Sequence, residues 1–67
     1  MTLYSLYDKF SDQFEDVHSF IVFDSSGCID DFDKIRNVLN YYGDYNVVEI
    51  CNNLNLFGEY VVFIYLE

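Results

Sequence analysis

Two uninterrupted apolar runs, Phe20-Ile21-Val22-Phe23 and Tyr60-Val61-Val62-Phe63-Ile64-Tyr65-Leu66, constrain the fold more than any other feature of the chain. Each reads as a strand. Neither alternates polar with apolar residues, which is the pattern of a strand covered on both faces. The first strand runs from Ser19 to Phe23 and is closed by the turn residues Asp24-Ser25-Ser26-Gly27, and the second is entered through Gly58.

Helices must supply the cover. Leu3, Leu6, Tyr7, Phe10, Phe14 and Val17 describe an N-terminal helix from about Thr2 to Glu15, with Thr2 as its cap and acids on its outer face. Phe32, Ile35, Val38, Leu39 and Tyr42 recur three or four residues apart and predict another helix, capped by Asp30 or Asp31 and ended by a left-handed Gly43. Along it, Lys34 and Arg36 are expected to pair locally with Asp30 and Asp33.

Residues Val47 to Cys51 read in two ways. Val47-Val48-Glu49-Ile50-Cys51 suits a strand followed by an Asn52-Asn53 turn. Asn46 followed three residues later by Glu49 fits a capping pattern, and Val47, Ile50, Cys51 and Leu54 share one helical face, which favours a second helix. The expected architecture is α/β (α+β): one domain over residues 1–67, with a small sheet of two or three strands. The N-terminal helix covers one face and one or two helices cover the other. If the helices form a crossover, the two strands run parallel. So small a sheet leaves edges open to a second copy or a partner strand.

A chain of 67 residues has little core, and seven Phe and seven Tyr make up for it with large buried area on few rotatable bonds. Charge narrows function further. Twelve acids against three bases give a net charge of −9. Direct binding of nucleic acid, which requires bases to neutralise phosphates, is not expected, nor is an anionic membrane surface. A basic protein, above all one whose basic cleft holds nucleic acid, is the partner such a field attracts. The bland alternative is that acidity only keeps an aromatic-rich protein soluble.

The N-terminal stretch lacks the basic start and apolar run of a signal peptide, and no segment is long enough to span a bilayer. Cys28 and Cys51 have no metal-ligand spacing, so a reduced, cytoplasmic setting is expected, with both as small core residues. An enzyme is not expected, and neither is a cofactor. His18 is the single histidine, and there is no nucleophile motif, phosphate-cradling glycine loop or metal-spaced cluster. Asp30-Asp31-Phe32-Asp33 serves as a helix cap without any metal.

From Phe20 to Leu66 the order of elements, with the loop Tyr41-Tyr42-Gly43-Asp44-Tyr45-Asn46 and the passage Leu54-Asn55-Leu56-Phe57-Gly58-Glu59-Tyr60, resembles the N-terminal half of the barstar-like ribonuclease inhibitors. The resemblance implies a strand, a helix, a Tyr-Tyr-Gly-x-Asn type loop, a second helix and a second strand, with loop and second helix entering the nuclease active site. This loop is one residue longer than that pattern. Aligned on Asn46, the family's acidic helix positions fall on Val48 and Asn52, and its helix tryptophan falls on Cys51, so two charges and an aromatic anchor are absent. Tyr41, Gly43 and Asn46 match. In size and charge alone the chain is similar to phage anti-defence proteins, including anti-CRISPR proteins and nucleic-acid mimics.

The expected function is therefore a small acidic inhibitor that blocks the basic site of a nuclease or CRISPR-type effector in a bacterial cytoplasm. The expected contact residues are Tyr41, Tyr42, Gly43, Asp44, Tyr45, Asn46, Glu49 and Asn52, with Asp30, Asp31 and Asp33 as accessory acids. The runner-up is a structural or assembly protein that pairs with itself through a strand edge, as a homodimer.

Overall fold

The Thr2 hydroxyl accepts the Ser5 N–H at 3.2 Å and caps helix α1, Leu3–Lys9, in a computed structural model that describes residues 1–67. The expected helix to Glu15 breaks at Phe10, whose φ of −128° leaves the helical region, and continues as one 3₁₀ turn, Ser11–Phe14. Asp16, at φ 58°, turns the chain into the first strand, a left-handed conformation that aspartate tolerates better than most residues.

Strand β1, Ser19–Asp24, does not lead into a helix cap. The Asp24 carboxylate accepts both the N–H and the hydroxyl of Ser26, at 2.7 and 2.6 Å, and Gly27 takes a φ of +121° that a side chain would strain. The chain thus folds straight back as β2, Gly27–Phe32, antiparallel to β1. Asp30 and Asp31 are strand residues and cap nothing, which corrects that expectation. Helix α2 spans Ile35–Tyr42, and its N-cap residue Lys34 makes no side-chain cap bond. Gly43 is right-handed, at φ −56°, so it does not end α2 by a left-handed turn. It is glycine because a β-carbon there would strike the Tyr4 ring and the Leu39 carbonyl.

Residues Val47–Leu54 form strand β3, antiparallel to β4, Tyr60–Leu66, so the second helix favoured by the capping pattern does not form. Two valines, an isoleucine and two asparagines resist helix intrinsically, and the free edge of β4 offers a ladder along the whole segment. The turn between them is closed by Asn55, whose side-chain oxygen accepts the N–H groups of Phe57 and Glu59. Gly58 supplies φ +77° at that turn.

The result is α+β, with four strands in the order β2-β1-β4-β3. The central pair β1 and β4 is parallel, as a crossover requires, and each outer strand is antiparallel to its neighbour. The expected two or three strands become four because both hairpins form.

The two helices do not lie on opposite faces. Leu3 of α1, Phe14 of the 3₁₀ turn and Val38 of α2 share one core with Phe20, Val22, Val62, Ile64 and Leu66, all on one side of the sheet. The alternate residues Ile21, Phe23, Phe63 and Tyr65 take no part in that core and face the other way. The N-terminal segment is sewn in by backbone bonds, with Leu3 N–H donating to the Tyr45 carbonyl at 3.1 Å, Tyr4 N–H to that of Gly43 at 3.0 Å and Val47 N–H to that of Met1 at 2.9 Å. No helix is long and apolar enough to cross a membrane.

Candidate functional site

The tyrosines expected at the contact surface gather where α2 meets β2. Ile35, Val38, Leu39 and Tyr42 turn inward along α2, which leaves Tyr41 off the stripe and 69% exposed. Phe32 holds it there. The Tyr41 ring stacks on Phe32 with centroids 5.6 Å apart, Tyr42 meets the same ring edge-on at 6.1 Å, and Tyr45, 50% exposed, meets Tyr42 at 5.2 Å.

Four aromatic rings are thus one cluster, and the Asp30 carboxylate contacts it. The Tyr42 hydroxyl donates to Asp30 Oδ2 at 3.2 Å. Burial raises the Tyr42 pKa above its ordinary value, and the hydrogen bond and charge of Asp30 and the charge of Asp24 add to the rise. Asp33 and Asp44 are exposed.

Other expected contact residues are not there. Gly43 is buried beneath Tyr4 and serves packing. Asn46 pairs its backbone with Thr2 and accepts the Glu67 N–H at 3.0 Å, joining both ends of the chain. Glu49 and Asn52 lie on β3, at the far edge of the sheet from β2, and point to opposite faces, Glu49 beside Tyr65 and Asn52 beside Val62. Asp31, next to Asp30, likewise points to the other face, opposite Ile21. A helix would have brought residues 46 to 52 to one surface; a strand divides them.

Sequence reasoning missed two surfaces. One is the helix-free face of the sheet, where Phe23 stacks on Tyr65 at 4.9 Å and meets Phe63 edge-on at 5.5 Å. The other is the β3–β4 turn, where Leu56 and Phe57 are 101% and 86% exposed on a turn held by three Asn55 side-chain hydrogen bonds. The alternating positions of the two apolar runs held the signal for the first. Leu-Phe ahead of a turn glycine was the signal for the second.

His18 Nδ1 lies 3.0 Å from Glu59 Oε2, both exposed. Cys28 and Cys51 are unbridged on opposite edge strands, and burial raises the Cys51 pKa, with Glu49 adding to it, so that thiol is held protonated. No three His, Cys, Asp or Glu side chains converge as metal ligands. The most apolar cleft, about 360 Å³ between α1 and β3, is lined by Met1, Leu6, Phe10, Phe14, Val47 and Ile50. No protein-family model, curated protein or solved structure matches the chain.

Proposed function

We propose that this protein is a small acidic inhibitor that occupies the basic nucleic-acid site of a nuclease or other nucleic-acid effector, in the manner of a phage anti-defence protein or a barstar-like inhibitor acting in a bacterial cytoplasm. One observation carries the reading. Tyr41, Tyr42 and Tyr45 form one aromatic surface with Phe32, beside the Asp30 carboxylate. Exposed tyrosines are rigid amphipathic anchors, and a carboxylate beside them can take the place of a phosphate in a basic cleft. A net charge of −9 steers the protein toward a basic cleft.

The test is capture of nucleases and defence effectors from the source cell, followed by competition with an oligonucleotide for the captured partner. Binding should be lost to the competitor, and its on-rate should fall about tenfold or more between low and physiological salt. Tyr41→Ala with Tyr45→Ala should weaken it by about 2 kcal/mol or more, the scale of an aromatic anchor. A partner that holds the protein and an oligonucleotide together would refute the reading.

The second reading, self-association through a strand edge, has β3 in its favour, an outer strand with Val48 and Leu54 more than 60% exposed. Association of that kind strengthens as salt screens like charges, the opposite sign to inhibitor binding.

A further inference from the structure

The helix-free face of the sheet has an ordered chemistry of its own. Register places Asp31, Ile21, Phe63 and Cys51 in one row across the four strands, and Cys28, Phe23, Tyr65 and Glu49 in the next. The centre of both rows is apolar and mostly aromatic. Each row ends in a carboxylate at one edge, Asp31 on β2 and Glu49 on β3, and both are exposed. Lys9, Lys34 and Arg36 are the chain's only Lys or Arg residues, and none lies in a strand.

From strand spacing and rise, these two rows of four residues cover roughly 250 Å². Uncovered aromatic rings rimmed by carboxylates have the composition of a contact surface. A second copy stacked on it would set two carboxylate-edged faces against each other, each molecule at −9. A partner with bases on both sides of an apolar stripe meets no such opposition.

Asp31 and Glu49 stand three strand intervals apart, about 14 Å. An α-helix about 10 Å across, laid along the strands, fits between them, and its flanking Lys or Arg side chains reach both acids. The two acids are also offset by one row, about 6.6 Å along the strands, close to one helical turn. We infer that the helix-free sheet face docks a basic amphipathic helix of another protein, its apolar stripe on Ile21, Phe23, Phe63 and Tyr65 and its bases on Asp31 and Glu49. This surface is separate from the tyrosine cluster, which lies on the helical side.

The probe is an amphipathic peptide of about 15 residues with a leucine stripe flanked by lysines, long enough to form a helix when bound. It is titrated into the full-length protein and followed by calorimetry and by NMR shifts. The inference expects shifts at Ile21, Phe23, Phe63 and Tyr65, and affinity reduced about tenfold or more by Asp31→Lys with Glu49→Lys. Those substitutions are exposed, so the fold persists. A Leu/Glu peptide of the same pattern should not bind, and Tyr41→Ala should leave Leu/Lys binding unchanged. Shifts confined to the helical side, or affinity untouched by the double substitution, would overturn the inference. So would a mass that doubles with concentration and returns to 8.0 kDa in Phe63→Thr, because the face would then belong to a second copy. The inhibitor reading fails on a different result, the lack of competition by an oligonucleotide, so the two stand or fall separately.

Discussion

The two faces of the sheet are built by the same two central strands from the same kind of residue, and they end in different environments. On one, Phe20, Val22, Val62 and Ile64 are at most 1% exposed beneath both helices. On the other, Ile21, Phe23, Phe63 and Tyr65 are half-buried, sheltered by one another. Side chains on the covered face are mostly aliphatic and those on the uncovered face mostly aromatic. Aliphatic branches interdigitate with a helix layer; aromatic rings shield one another laterally without one. A continuous apolar strand therefore does not by itself imply two covered faces.

The largest expected effect tests that contrast directly. Ile64→Ala removes a fully buried side chain and should cost about 3 kcal/mol, lowering Tm by roughly 12–24 °C on thermal denaturation followed by circular dichroism. Phe63→Ala, one residue along and facing the other way, should cost about half as much despite its larger side chain. Equal costs would mean that the second face is covered too.

Attachment of the helical layer gives the next effect. Gly43→Ala drives a methyl into the Tyr4 ring and the Leu39 carbonyl and should cost about 1–3 kcal/mol in urea denaturation. Cys51→Ala on the uncovered face should cost less. If the order reverses, the join between α1 and the end of α2 is looser than its backbone bonds imply.

The smallest effect is one of pH. The folded protein favours the protonated Tyr42 phenol, since its pKa lies above the ordinary 10.0. The stability this contributes is complete below pH 10 and is lost as pH rises through the folded value. Between about pH 9 and 11 the urea midpoint of the parent should fall more than that of Tyr42→Phe. Identical slopes would remove the Tyr42–Asp30 contact from the account of how α2 is held to β2.

Much of the covered face was legible because its cues are local. Thr2 as a cap, the Ile35–Tyr42 stripe, and β1 and β4 as strands follow from hydroxyl placement, helical period and apolar runs. The candidate site was legible in part. Tyr41, Tyr42 and Tyr45 do share a surface, but Phe32, the ring that joins two of them, falls in step with the helix stripe and yet comes from β2. Glu49, Asn52 and Asp31 were placed with them by assuming helix where strands formed. At Asp30 and Asn46 the same short polar side chains that cap helices were read as caps, though the backbone they follow is extended.

What the chain determines by itself is its charge, its aromatic load, two strands and the stripes of two helices, since each depends on side chains close together along the polymer. Tertiary structure decided the rest. Residues 47–54 became a strand because β4 had an edge to pair with, and the helices shared one face because their stripes close a common core with alternate residues of β1 and β4. Pairing partners and the choice between faces depend on residues distant in sequence, and no local pattern encodes them.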